Sequence, residues 1–398
     1  MNDVLISSPA GVLTVLCATA AFWFLVQQLT RWTLFDYVPP LLFIYATPVI
    51  LNNTGVIPGS SMVYSGLSAY VLPVFIVLML IKVNVPAAVR VMGKGVLVML
   101  MGTTGVIVGA VISYVAVHQW LTDDAWKGFG ALAGSWIGGT ANMAAAAEML
   151  GTPEELFGLA VLADNVIYVI WLPILLGSRN IADKFNRWTG VHADRLALMD
   201  EAAEIHAVEE RVPEMRDYIY LFAVAIAITW IGASLASSVH ESMAGAPQWV
   251  SDVFSESTIR ILLITTFALI LSTTAVSSLP NATAIGTAMI YVFVAGMGAR
   301  ASLAGFSQAP AFLFGAFIWI FVHGAFCVLG AKIFKVDVHS TAIASAANIG
   351  AAASAPIVAA FHRPSLVPVS ILMALLGYAI GNYLAPLAGH LARIAVGQ

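Results

Sequence analysis

Apolar runs of about 20 residues recur along almost the whole chain, and that recurrence leaves little choice of fold. They cover roughly 9–29, 37–54, 66–83, 93–118, 129–150 and 155–177. After a polar stretch they resume at roughly 218–239, 257–278, 281–301, 308–333, 338–361 and 366–390. About 20 apolar residues in helical form cross the hydrocarbon core of a bilayer. Hydrocarbon offers nothing to bond with, so such segments satisfy their own N–H and C=O groups as helices. Only 10% of the 398 residues are charged, against about 25% in soluble proteins. The expectation is an all-α, multi-pass membrane protein. No basic stripe is present to hold a nucleic acid. Cys17 and Cys327 both lie in apolar runs, which argues against a metal site and a disulfide framework, and no cofactor is expected. The first ten residues lack the positive region of a secretory signal, so the first run is read as a permanent span.

Two short stretches stand apart because they are polar and almost without side-chain bulk. One is Gly134–Ala147, which contains Gly138, Gly139, Thr140 and Asn142; the other is Ser340–Pro356, which contains Ser345, Asn348, Gly350 and Ser354. With Asn142 set on Asn348 the two patterns repeat. Stretches of this kind bring bare backbone to a ligand inside a membrane, and small residues also let helices pack closely. Their matching positions in the chain favour the ligand.

The halves resemble each other elsewhere. Leu162–Pro173 aligns without gaps on Leu375–Pro386, Val74, Phe75 and Lys82 on Val292, Phe293 and Arg300, and Leu51–Thr54 on Leu271–Thr274. The expected organisation is a membrane repeat over 1–177, a linker over 178–217 and a second repeat over 218–398. If all twelve runs cross with the amino terminus inside, basic residues beyond the linker number 4 inside and 7 outside, against the positive-inside tendency. If the fifth run of each half dips in and returns, an outside amino terminus puts Arg31, Lys82, Arg90, Lys94, Lys332, Lys335 and Arg363 inside. Lys127, Arg260, Arg300 and Arg393 then fall outside, and the linker is cytoplasmic. Five crossings per half invert the second repeat, and the two dipping segments enter from opposite faces with their tips meeting. The alternative keeps both segments as broken helices that cross. Within the linker, 195–211 is patterned as a surface helix.

Asp164 lies near the middle of an apolar run and is followed by Asn165. A carboxylate there costs at least about 2.5 kcal/mol unless paired, hydrated or protonated, so a cation-coupling role is the default. Its aligned position is Gly377, and Asn382 lies little more than one turn beyond. Asp164, Asn165 and Asn382 are therefore the candidates for cation coupling, with Asp164 as the ligand for Na⁺ if the ion is Na⁺. Gly138, Gly139, Thr140, Asn142, Ser345, Asn348, Gly350 and Ser354 are the candidates for binding the solute. Gly130, Gly134 and Gly138, and Gly377 and Gly381, also fall at the spacing of helix-packing glycines. His323 is expected to be packed and hydrogen-bonded.

Through Ile137–Ala145, Ala163–Asn165 and Ser345–Ala353, and over nearly its whole length, the chain resembles the YjcL-like family of bacterial integral-membrane proteins, whose function is unknown. That resemblance implies the broad group of inverted-repeat carriers that includes cation/proton antiporters and bile-acid-type symporters. The architecture is also similar to glutamate/sodium symporters, which implies a homodimer whose core moves past a scaffold like an elevator. No arginine is placed to hold a glutamate side chain.

The expected function is secondary active transport of a small polar or anionic solute, coupled to Na⁺ or H⁺, across the bacterial cytoplasmic (inner) membrane. The second expectation is a cation/proton antiporter without an organic substrate. An intramembrane enzyme would need a catalytic Ser/His pair, two aspartates or a His/Glu metal cluster within the membrane, and Asp164 stands alone among the central positions of the runs.

Overall fold

A computed structural model describes residues 4–37, 39–83, 93–191, 211–243, 245–247, 250, 253–302 and 307–398. The described residues contain helices and no strand. Among the described residues, eight helices are long and apolar enough to cross a membrane. Arg90 and most of the expected surface helix over 195–211 lie outside the described residues.

The first half runs α1 (Pro9–Thr30), α2 (Pro40–Asn53), α3 (Met62–Leu80), α4 (Lys94–Val117), α5 (Ala125–Gly138), α6 (Thr140–Leu150) and α7 (Glu154–Gly177). A short helix, α8 (Ala182–Thr189), occupies the start of the expected linker. The second half runs α9 (Met215–Ser242), α10 (Glu256–Leu271), α11 (Ala282–Arg300), α12 (Ala309–Phe334), α13 (Val338–Ile349), α14 (Ala351–His362) and α15 (Val367–Ala395). Every apolar run is helical over most of its length. Within α3 the ladder widens to a π-turn at Leu67–Val71, just before Pro73, whose missing N–H forbids the ordinary bond.

The helices sort into two packed groups. One holds α1–α3 with α9–α11; the other holds α4–α7 with α12–α15. Contacts recur when the halves are exchanged: α2 packs on α11 as α10 packs on α3, α1 on α11 as α9 on α3, and α6 on α15 as α14 on α7. Phe75 and Phe293, paired by the alignment, meet edge to face with ring centroids 5.7 Å apart. In the second group α4 and α12 lie close because Gly105 presents no side chain; a Cβ there would stand 2.6 Å from that of Phe326. The glycines at packing spacing do pack: Gly130 touches Gly389, and Gly138 lies under the carbonyl of Gly377.

The two small-residue stretches are helical hairpins. In the first, α5 runs in and α6 runs back. Gly134 abuts Met143 near the tip, and the Thr152 hydroxyl donates to the Lys127 carbonyl (3.3 Å) at the base. In the second, Ser354 donates to the Ala346 carbonyl (2.9 Å), and the imidazoles of His339 and His362 share a hydrogen bond at the base (3.0 Å). Legs of 11–14 residues rise about 16–21 Å, short of a hydrocarbon core of about 30 Å. In each segment the two legs lie side by side, so that both of its ends meet at one base.

The bases lie at opposite ends of α7. Lys127 and Thr152 sit beside its start, whereas His362 Nε2 donates to the Leu175 carbonyl near its end (2.9 Å). The four basic residues grouped together by the sequence collect around the first hairpin's base: Arg260 pairs with Glu148 (3.2 Å), Arg300 with Glu154 (2.9 Å), Lys127 with Asp124 (2.8 Å), and Arg393 lies over Trp126. At the other base Arg179 donates to the Phe361 carbonyl (2.6 Å). There α8 docks through Asn186, which accepts from the Val338 N–H (2.9 Å), and Lys332, which donates to the Trp188 carbonyl.

Candidate functional site

The hairpin tips meet. Gly139 sits at φ +85°, ψ −175°, a conformation that glycine adopts and residues with a Cβ avoid. A Cβ at Gly139 would stand 2.9 Å from that of Ala351. The second tip turns at Gly350 and Ala351, and the positive φ (+46°) belongs to the alanine.

Beside the tips lies a cavity of about 340 Å³. It is bounded by both tips, by α7 and α15 of one helix group, and by α11 and the start of α2 of the other. Five expected site residues line it: Gly139, Thr140, Asp164, Asn165 and Gly350. Asp164 is the one charged side chain among its described lining residues. The Trp136 indole N–H donates to Asp164 Oδ1 at 3.0 Å, and Trp136 is fully buried. Among the described residues Asp164 makes no salt bridge.

Two helices begin at this cavity. α6 starts at Thr140 and α14 at Ala351. Among the described residues the N–H groups of Thr140, Ala141 and Ala351 have no backbone acceptor, as expected for a first helical turn, and that of Ala352 donates to the Tyr378 hydroxyl. Helix starts carry partial positive charge, so both favour a negative group in the cavity.

The remaining expected site residues form polar networks behind the tips. Asn142 Nδ2 donates to Asn382 Oδ1 (2.8 Å) and to the Tyr378 carbonyl (3.1 Å). Asn382 Nδ2 in turn donates to Thr265 Oγ1 (2.9 Å), joining the two helix groups. In the amide orientation that satisfies every atom, Asn348 Oδ1 accepts from Thr103 Oγ1 (2.8 Å). Its Nδ2 then donates to the carbonyls of Ala344 (3.0 Å) and Met99 (3.2 Å). Ser345 accepts from the Trp171 indole (3.0 Å) and donates to His323 Nε2 (2.9 Å), whose Nδ1–H donates to the Gly102 carbonyl (2.9 Å). Gly138 packs on α15 and Ser354 closes the second hairpin. These residues hold the tips in position, and none of them lines the cavity beside the tips.

Sequence reasoning passed over Ser135, Tyr168, Thr283, Thr287, Tyr291 and Tyr378, which all line the cavity. The signals were present. Tyr168 follows Asp164 by one turn, and Thr283, Thr287 and Tyr291 repeat every four residues along an apolar helix. Tyr378 takes the place of Asn165 in the aligned segment.

Residues 14–394 match the model of a family described as protein of unknown function, DUF819. The chain belongs to the DUF819 family. Across 372 residues it is 25% identical to the uncharacterized membrane protein YjcL of Bacillus subtilis (strain 168), covering 92% of each chain. It is thus a multi-pass membrane protein of that family, with eight helices fit to span among its described residues. No cluster of three metal-binding side chains occurs among the described residues.

Proposed function

We propose that this DUF819 member is a secondary active transporter that moves a small polar solute together with Na⁺ or H⁺ by alternating access. One observation carries the reading: a cavity with a single carboxylate lies where two hairpin tips of one helix group face the other group. Broken helices whose starts and carbonyls surround such a site are how carriers hold solute and ion at mid-membrane. On this reading α1–α3 and α9–α11 form a scaffold, and α4–α7 with α12–α15 form the moving core. The exchange-related contacts and the opposite hairpin bases support an inverted duplication. The first hairpin then enters from outside and the second from the cytoplasm of a bacterial inner membrane, with both termini outside. The scaffold is also the natural place for a homodimer contact.

Asp164 takes the coupling cation, with Asn165 beside it on the same helix. The solute lies against Thr140 and the two helix starts. A cation/proton antiporter would use the same aspartate, but it needs no cavity of about 340 Å³, when a water molecule's share of liquid volume is about 30 Å³. The cavity volume therefore favours a solute.

The test is accessibility. With Cys17 and Cys327 replaced, a Thr140→Cys protein in sealed vesicles is treated with a membrane-impermeant thiol reagent from either face. Alternating access predicts labelling from both faces, in proportions that shift with Na⁺ or pH. Labelling from one face under every condition contradicts it.

A further inference from the structure

We infer that the solute is a small zwitterion whose positive end is a methylated ammonium, the betaine class. The inference rests on the reading of the cavity as the solute site.

Charge is the first argument. The described lining holds one carboxylate, Asp164, and no lysine, arginine or histidine. A net charge in a low-dielectric site is costly. Asp164 with one coupling cation is neutral, so a neutral solute completes a neutral site. An anionic solute would leave one negative charge that no side chain answers. A zwitterion leaves none and still offers a carboxylate to the two helix starts at Thr140 and Ala351.

The second argument is the nature of the walls. Tyr168, Tyr291 and Tyr378 come from three helices, α7, α11 and α15, and all line the cavity. Tyr378 lies against the first tip, with Cε1 3.3 Å from where a Gly139 Cβ would sit. Tyr168 lies against the second, with Cε2 3.2 Å from the corresponding point at Gly350. No stacking joins one of these rings to another; Tyr291 instead meets Phe24 edge to face at 4.8 Å. Several aromatic rings lining one site are how proteins recognise quaternary ammonium groups, through attraction to the ring faces. A primary ammonium has three N–H donors to satisfy. Much of the remaining wall is carbon, from Leu41, Met79, Ile290 and Ile349. Methyl groups suit that wall better than N–H groups do.

The third argument is an unfilled polar atom. Asn165 lines the cavity and is 5% exposed; its Nδ2 donates to the Val161 carbonyl (2.7 Å), while its Oδ1 has no donor among the described residues. An oxygen left open beside Asp164 suits the coupling cation, whose charge the solute then need not supply. The volume lies at the lower end of the range for small-molecule pockets, which fits a solute of about ten heavy atoms or fewer.

The experiment measures binding to the purified full-length protein, in Na⁺ and across pH, for glycine, N-methylglycine, N,N-dimethylglycine, glycine betaine, choline and acetate. Affinity is expected to rise along the methylated series and to fall for choline, which lacks the carboxylate, and for acetate, which lacks the ammonium. Tyr291→Leu should weaken glycine betaine about tenfold, whereas Tyr291→Phe, which keeps the ring, should bind nearly as the parent does. The Phe variant also serves if the Leu variant does not fold. Tighter binding of glycine than of glycine betaine, or no binding along the series, overturns the assignment. The two readings fail separately. Alternate labelling of Thr140→Cys without binding of the series rejects the solute class and keeps transport. Binding of glycine betaine with one-sided labelling rejects transport and keeps the class.

Discussion

Replacing Gly139 by alanine tests the tip geometry at its narrowest point. Gly139 has φ +85° and ψ −175°, and imposing that backbone on a residue with a Cβ costs about 1–3 kcal/mol. The new methyl would also stand 2.9 Å from the Ala351 Cβ and 3.3 Å from Tyr378 Cε1. Relieving such a contact within packed surroundings costs about 1–3 kcal/mol more. Gly139→Ala should therefore destabilise the protein by about 2–6 kcal/mol. Gly151→Ala is the control. It also has positive φ (+57°), but nothing lies within 4 Å of its would-be Cβ, so only about 1–2 kcal/mol of backbone strain applies. The assay is unfolding of both variants in the same detergent, followed by tryptophan fluorescence. If Gly139→Ala is no less stable than Gly151→Ala, the tips do not meet as described, and the reasoning about the cavity beside them fails with it.

Three further outcomes follow from the hydrogen bonds. Asn142→Ala strands the buried acceptors on Asn382 and Tyr378 at about 1–3 kcal/mol each, and it should unfold well before Thr140→Ala, whose hydroxyl has no protein partner among the described residues. Trp136→Phe removes one of the two side-chain donors to Asp164, the other being Ser135, and should cost about 1.5–3 kcal/mol in an unfolding titration at neutral pH. Glu154→Gln breaks the pair with Arg300, but both side chains are about a quarter exposed (27% and 26%), so stability measured the same way should fall by less than about 1 kcal/mol.

The helical architecture was legible because its cause is local. A run such as Ala309–Phe334 is apolar on all sides, and in lipid only a helix satisfies its backbone. The breaks in the fifth runs were legible too, since Gly139 and Gly350 interrupt otherwise helical small-residue stretches. What the residues do was harder to read. Asn142, Asn348 and Ser345 look like ligands because they are polar in an apolar chain, yet each finds a protein partner from a distant helix, and those partners are invisible in sequence. Conversely, Tyr168, Tyr291 and Tyr378 pass as ordinary membrane aromatics until three helices bring them to one cavity. Short α8 was missed because its docking depends on Val338 and Lys332, far along the chain.

The most direct test of the account is the melting temperature of the purified protein in Na⁺ against K⁺ at constant ionic strength, repeated across pH, for the parent and for Asp164→Asn. A cation held only by the folded state stabilises it by about 2.7 kcal/mol at a hundredfold excess over its Kd. The account predicts a stabilisation specific to Na⁺, or one that tracks proton binding, in the parent and its loss in Asp164→Asn. A parent indifferent to both ions, or an Asp164→Asn protein that responds as the parent does, would contradict the assignment of Asp164 as the coupling site.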